Sequence, residues 1–142
     1  VAVHPVQASP AVAEQAFTFL LARGFTLHER WVTGGESFRD GWRLTYAGRS
    51  IQVVVQYMDV QFEVHFVRSD LDVSYLELDR DLFGRRSGFH GDMFPPDKLE
   101  AAIRKIAKDI QENYSGTLLG DELEWQKIER LKATPPKPHR LP

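Results

Sequence analysis

Between Trp42 and Phe66 the apolar side chains fall on every second residue, and this alternation limits the fold more than any other feature of the chain. Trp42, Leu44 and Tyr46 alternate with Arg43 and Thr45; Ile51, Val53, Val55 and Tyr57 follow, and then Phe62, Val64 and Phe66 opposite Gln61, Glu63 and His65. A period of two places successive side chains on opposite faces of a strand. The connections, Ala47-Gly48-Arg49-Ser50 and Met58-Asp59-Val60, are too short for the crossover of a dozen or more residues that parallel strands need. The segment therefore reads as an antiparallel meander with one apolar and one polar face.

The flanking segments supply helices for the apolar face. Ser9-Pro10 is a helix start, and Val12, Ala13, Ala16, Phe17, Leu20 and Leu21 recur at helical spacing up to Arg23, before Gly24. Phe25, Leu27 and Trp31 then share one face of a strand, with Glu29 as the exception. Leu71 to Tyr75 reads as a short edge strand, and Leu76 to Phe83 as a short helix or an irregular arm. Asp97 with Glu100 has the spacing of a capping box; the stripe Leu99, Ala102, Ile103, Ile106 and Ile110 follows, ending near Ser115-Gly116. A last helix is expected from Asp121, with Glu124 three places on, burying Leu123, Ile128 and Leu131, with Trp125 a further candidate. From Ala133 the chain reads ATPPKPHRLP, which cannot continue a helix. The expected fold is α+β: an N-terminal helix, an antiparallel β-meander of four to five strands and two C-terminal helices packed on one face. Residues 1–8 read as a flexible N-terminal segment, 9–132 as one domain and 133–142 as a proline-rich flexible tail.

A length of 142 residues suits one domain with one core. The chain has no cysteine, which removes disulfides, thiolate chemistry and sulfur-based zinc sites. Eighteen basic against twenty acidic residues give a formal charge of -2, which argues against non-specific attraction to nucleic acid or anionic lipid. No apolar run is long enough to cross a bilayer. The expected location is cytoplasmic.

Two groups of residues carry potential chemistry. On the polar face of the third meander strand, Glu63 and His65 lie two residues apart and point the same way, as a proton relay, a pair of metal ligands or a solvated cross-strand pair. The loop GRRSGFHGDMFPPD, residues 84–97, gathers Arg85, Arg86, Phe89, His90, Asp92, Met93 and Phe94. His90 and Asp92 can set a base beside an orienting acid, with Arg85 or Arg86 holding an anion. No nucleophile, metal set or phosphate-binding motif accompanies them, so no catalytic residue, metal or cofactor is assigned. Phe89, Met93 and Phe94 either pin the loop to the core or stay exposed as anchors for another protein. The tail's Pro135, Pro138 and Arg140 have a spacing that suits polyproline grooves, which a proline-rich end also reaches by chance.

The leading helix ending in Gly24-Phe25, the strands IQVVVQY (51–57) and FEVHF (62–66), and the closing helices resemble small bacterial domains, some of which are similar to immunity proteins of polymorphic toxin systems. That resemblance implies a cytoplasmic, non-enzymatic protein that binds a cognate toxin. It supplies no site residues. The alternatives are a small hydrolase or ligand-binding enzyme centred on His90 and Asp92, and an assembly subunit that pairs through the Leu71–Tyr75 edge.

Overall fold

The computed structural model describes residues 5–32, 41–84, 87–89 and 91–133. Its elements run α1 (Pro5–Ala16), α2 (Phe19–Ala22), β1 (Thr26–Val32), β2 (Trp42–Ala47), β3 (Gln52–Met58), β4 (Gln61–Arg68), β5 (Leu71–Ser74), α3 (Tyr75–Asp81), α4 (Pro96–Asn113), α5 (Ser115–Leu119) and α6 (Glu122–Ala133). The five strands form one antiparallel sheet in the order β1-β2-β3-β4-β5, with the helices against its apolar face. The α+β meander expected from the alternation is the observed fold.

The alternation becomes burial directly. Trp42, Leu44, Val53, Val55, Phe62, Val64 and Phe66 are all buried, while the residues between them are half-exposed or exposed. The α4 stripe Leu99, Ala102, Ile103, Ile106, Ala107 and Ile110 closes over this face. Tyr114 stacks on Phe66 at 5.8 Å between ring centroids and meets Phe83 edge-on at 4.9 Å. Phe17 from the turn between α1 and α2, Leu20 from α2, and Trp125 and Ile128 from α6 complete one core.

Several local expectations are corrected. The first helix starts at Pro5 and so takes in residues 5–8 of the segment read as an N-terminal extension; Pro10 lies inside it. Pro5 is as good a first helical residue as Pro10, because first-turn amides have no intrahelical acceptor. The helix does not run unbroken to Arg23. Thr18 Oγ1 donates to the Glu14 and Gln15 carbonyls at 3.0 and 2.8 Å, and the chain tightens through Leu20 N–H to Phe17 O before α2. Gly24, at φ +91, then turns the chain so that the Phe25 amide donates back to the Leu20 carbonyl at 3.0 Å.

Leu27 and Trp31 do not share a face. A β-bulge between Leu27 and Glu29 shifts the register, so Leu27 pairs with the core residue Tyr46 while Trp31 pairs with Arg43 on the other face. One extra residue in a strand reverses the facing of everything beyond it. Glu29, which broke the sequence pattern, thereby joins Trp31 on the polar side.

The Asp97 capping box is also absent. Pro95 is the N-cap without a side-chain cap bond, and Asp97 already lies in the first turn of α4. Consecutive prolines set the extended entry and the helical start, which moves the boundary two residues ahead of the acid. At α6 the cap does form: Asp121 Oδ1 accepts from the Leu123 amide at 2.9 Å. Leu123, expected in the core, is 71% exposed, whereas Trp125 and Ile128 are buried and Leu131 packs against the core. Trp125, Ile128 and Leu131 recur at a spacing of three and share the inward side of α6, a side that Leu123, two residues before Trp125, does not reach. The proline-rich tail from 134 lies outside the described residues.

Candidate functional site

Among the described residues the helices lie against one face of the sheet, and the opposite face is an extended surface built by the strands. Its side chains fall in rows dictated by the register. One row runs Trp31, Arg43, Gln56, Glu63 across β1 to β4; the next runs Glu29, Thr45, Val54, His65, Ser74. Five strands spaced ~4.8 Å and rows spaced ~6.8 Å give a platform of roughly 19 by 20 Å.

Glu63 and His65 are brought together as expected, and a third residue joins them. His65 Nε2 lies 3.1 Å from Glu63 Oε2, and His65 Nδ1 lies 2.7 Å from Asp72 Oδ1 on β5. Gln56 Nε2 extends the string by donating to Glu63 Oε1 at 3.5 Å. Carboxylates only accept, so both contacts are hydrogen bonds when the ring carries two protons. The two acids sit on opposite ring nitrogens and cannot share one ion with the imidazole. Among the described residues no group of three or more His, Asp or Glu is arranged to hold a metal ion. Asp72 was visible in the sequence only as part of an edge strand; its diagonal approach to His65 depends on the β4–β5 register.

At the other end of the platform Arg43 lies over the Trp31 ring, with its Cζ 5.3 Å from the ring centroid. Trp31 is 39% exposed. The Arg43 Nε is shielded from solvent and has no acceptor among the described residues. Sequence reading assigned Trp31 to the apolar face, and only the bulge places it here.

The loop candidates separate. Arg85, Arg86 and His90 lie outside the described residues. Residues 92–94 add a short extra rung to β4: Phe62 N–H donates to Asp92 O and Phe94 N–H to Val60 O, each at 2.8 Å, with Gln61 opposite Met93. This pairing puts Met93 on the polar face beside Gln61 and Met58, and it is 63% exposed. Phe94 points the other way and is buried; Phe89 meets its ring edge-on at 5.1 Å. The Tyr57 hydroxyl, whose pKa burial pushes up and which therefore stays a donor, holds the Phe94 carbonyl at 2.8 Å. The three apolar loop residues thus divide, two pinning the loop and one exposed.

The base of the loop is held by a contact the sequence did not mark. Asp79, 1% exposed, accepts from the Ser87 amide at 3.0 Å and the Ser87 hydroxyl at 2.6 Å, and Ser87 Oγ accepts from the Phe89 amide at 3.0 Å. An i, i+8 pair of small polar residues has no periodic signature.

Asp92 lines a cavity of about 40 Å³ with Glu63, Ser74, Tyr75 and Phe94, and a neighbouring cleft of about 290 Å³ with Glu77, Arg80 and Phe89. The first has room for water but not for an organic substrate. In the cleft, Arg80 is committed to Asp81 at 2.7 Å and Glu77 to Lys132 at 2.8 Å. Burial alone would raise the Glu77 pKa, yet the hydrogen bonds from Lys132 and Ser74 outweigh it and hold the carboxyl below its ordinary range.

Among the described residues no helix is long and apolar enough to cross a membrane. No protein-family model, curated protein or solved structure matches the chain.

Proposed function

We propose that this chain is a non-enzymatic protein-binding module, an immunity-type inhibitor that holds a bacterial toxin against the helix-free face of its sheet. The observation that carries the reading is the merging of two sequence candidates into one surface. The Glu63–His65–Asp72 string, Met93 from the loop and the Trp31–Arg43 pair all face the same side. Arginine, tryptophan and methionine are the residue types enriched at interface centres. Trp31 and Arg43 lie against each other and His65 is held between Glu63 and Asp72, so less conformational entropy is lost at these side chains on association.

The platform's planar area, roughly 400 Å², is about half of what one partner contributes to a standard interface, so a stable complex also extends onto the neighbouring loop and strand edge. The other two readings have less support. An enzyme centred on His90 needs groups that lie outside the described residues. Edge pairing has short or guarded templates: β5 has four residues, while β1 carries a bulge and Arg30, which pairs with Glu14 of α1. Bulges and inward charges are devices that protect sheet edges from pairing.

The test is co-expression with the products of adjoining genes, scored by co-purification and by rescue of growth. Glu63→Lys combined with Met93→Glu should abolish both, while Lys108→Glu on the outer side of α4 should not. Retention of binding by a folded Glu63→Lys/Met93→Glu protein would remove the open face as the binding surface.

A further inference from the structure

We infer that the Trp31–Arg43 pair is the receptor for a carboxylate, so that the segment bound at the β1–β2 end of the open face is an acidic stretch of polypeptide. The inference rests on the protein-binding reading and adds the chemistry of the partner.

Arg43 is the one arginine or lysine that the strand register places on this face among the described residues. The arginines elsewhere in the structure are mostly committed: Arg30 to Glu14, Arg68 to Glu122, Arg80 to Asp81 and Arg104 to Glu100. Arg43 differs. Its guanidinium is oriented by the Trp31 ring instead of by an acid, and its Nε lacks an acceptor. The ring contact holds the guanidinium in place; its Nε is enclosed, so a carboxylate is received end-on, by parallel hydrogen bonds from the two Nη groups. The indole beside it excludes water, which strengthens the ion pair that forms.

The surroundings select among anions. Glu63 lies in the same row two strands away, Glu29 in the next row beside Trp31, and Asp72 at the far edge. On the β1 side of Arg43 the register brings one acid near among the described residues, Glu29 one row away, so a single carboxylate meets one like charge where a polyanion meets all three. A nucleic-acid strand, with a charge at every nucleotide, would press further phosphates against these acids. The face therefore favours an isolated Asp or Glu side chain on a protein over a polyanion.

The experiment titrates the ¹⁵N-labelled full chain with an acetylated, amidated octapeptide of alternating Val and Glu. The same peptide with Gln, the same with Lys, and a single-stranded DNA 12-mer serve as comparisons. The Glu peptide should shift the Trp31 indole and Arg43 Nε–H resonances saturably, at least about tenfold more tightly than the others, and Arg43→Gln should weaken it by roughly tenfold. Arg43→Lys, which keeps the charge but loses the planar fork, should recover only part of that loss; it also tests the idea if Arg43→Gln fails to fold. Equal binding of the Gln peptide, tighter binding of DNA, or full binding by both variants would each overturn the inference. Binding of the Lys peptide to the Glu63–Asp72 end alone would overturn it too, yet leave the protein-binding reading standing; failure of the unmutated chain to co-purify with any adjoining-gene product in the earlier test would instead remove that reading.

Discussion

Removing the Asp79 carboxylate should loosen the loop that carries Met93 and lower global stability by about 3 kcal/mol. The figure follows from the contacts. Asp79 is almost wholly buried and accepts two hydrogen bonds from Ser87, at 3.0 and 2.6 Å. Bonds to a charged acceptor contribute about 1.5–3 kcal/mol each, and the truncated site leaves a buried amide without an acceptor; relief from burying a charge offsets part of the sum. Ser87→Ala removes the hydroxyl that also accepts from Phe89 N–H, and should cost about 2 kcal/mol. Because both changes break the same contact, the double variant should fall short of their sum by about 1–2 kcal/mol. Asp79→Asn, whose oxygen can still accept from the amide, should be milder than Asp79→Ala. Urea unfolding of the four proteins measures the cycle, and each kcal/mol should appear as roughly 3–5 °C in Tm. Amide exchange at Ser87 and Phe89 should accelerate more than in the β2–β3 hairpin. Strict additivity, or a loss below about 0.5 kcal/mol for Asp79→Ala, would refute the reasoning.

Two further changes test backbone and electrostatics. The β3–β4 turn holds both Asp59 and Val60 at positive φ, 52° and 58°, a conformation that costs a β-branched residue about 1–2 kcal/mol and that Asp-Gly adopts readily; Val60→Gly should therefore stabilise by about 0.5–1 kcal/mol in thermal melts after its own entropy loss, while Val60→Ala, which keeps a Cβ, should not. Burial first, and then the Asp121 carboxylate, raise the Glu124 pKa above its ordinary value. A raised carboxyl binds its proton more readily in the folded state, so stability falls as pH rises from the unfolded value through the folded one; Glu124→Gln should be more stable than the parent near neutral pH, with the gain shrinking as pH falls through the folded value and gone below about pH 4, and unfolding curves across that range give the sign.

The meander, the helix that covers it and the side that β2, β3 and β4 each bury were legible in the residues alone. A period of two or of 3.6 is a local property, and burying those stripes against one another leaves few architectures open. Trp42 to Phe66 and Leu99 to Ile110 therefore needed no partner to be read. The boundaries set by competing local signals were less legible, as the break at Thr18 and the Pro95-Pro96 start of α4 illustrate: several residues can begin or end a helix, and the rest of the chain selects one.

The candidate surface depended on three-dimensional register. Glu63 and His65 were readable because they are two residues apart in one strand. Asp72 reached His65 through strand pairing, Trp31 crossed to Arg43 because one bulged residue reversed its facing, and Met93 joined the same side through a single rung on Gln61. The sequence by itself determined which residues are apolar, where they alternate and how many layers must pack, since these follow from solvation of each side chain along the chain. Only the tertiary structure decided which polar groups meet, because hydrogen bonds and stacking require positions within a few ångströms that distant segments reach through pairing and packing.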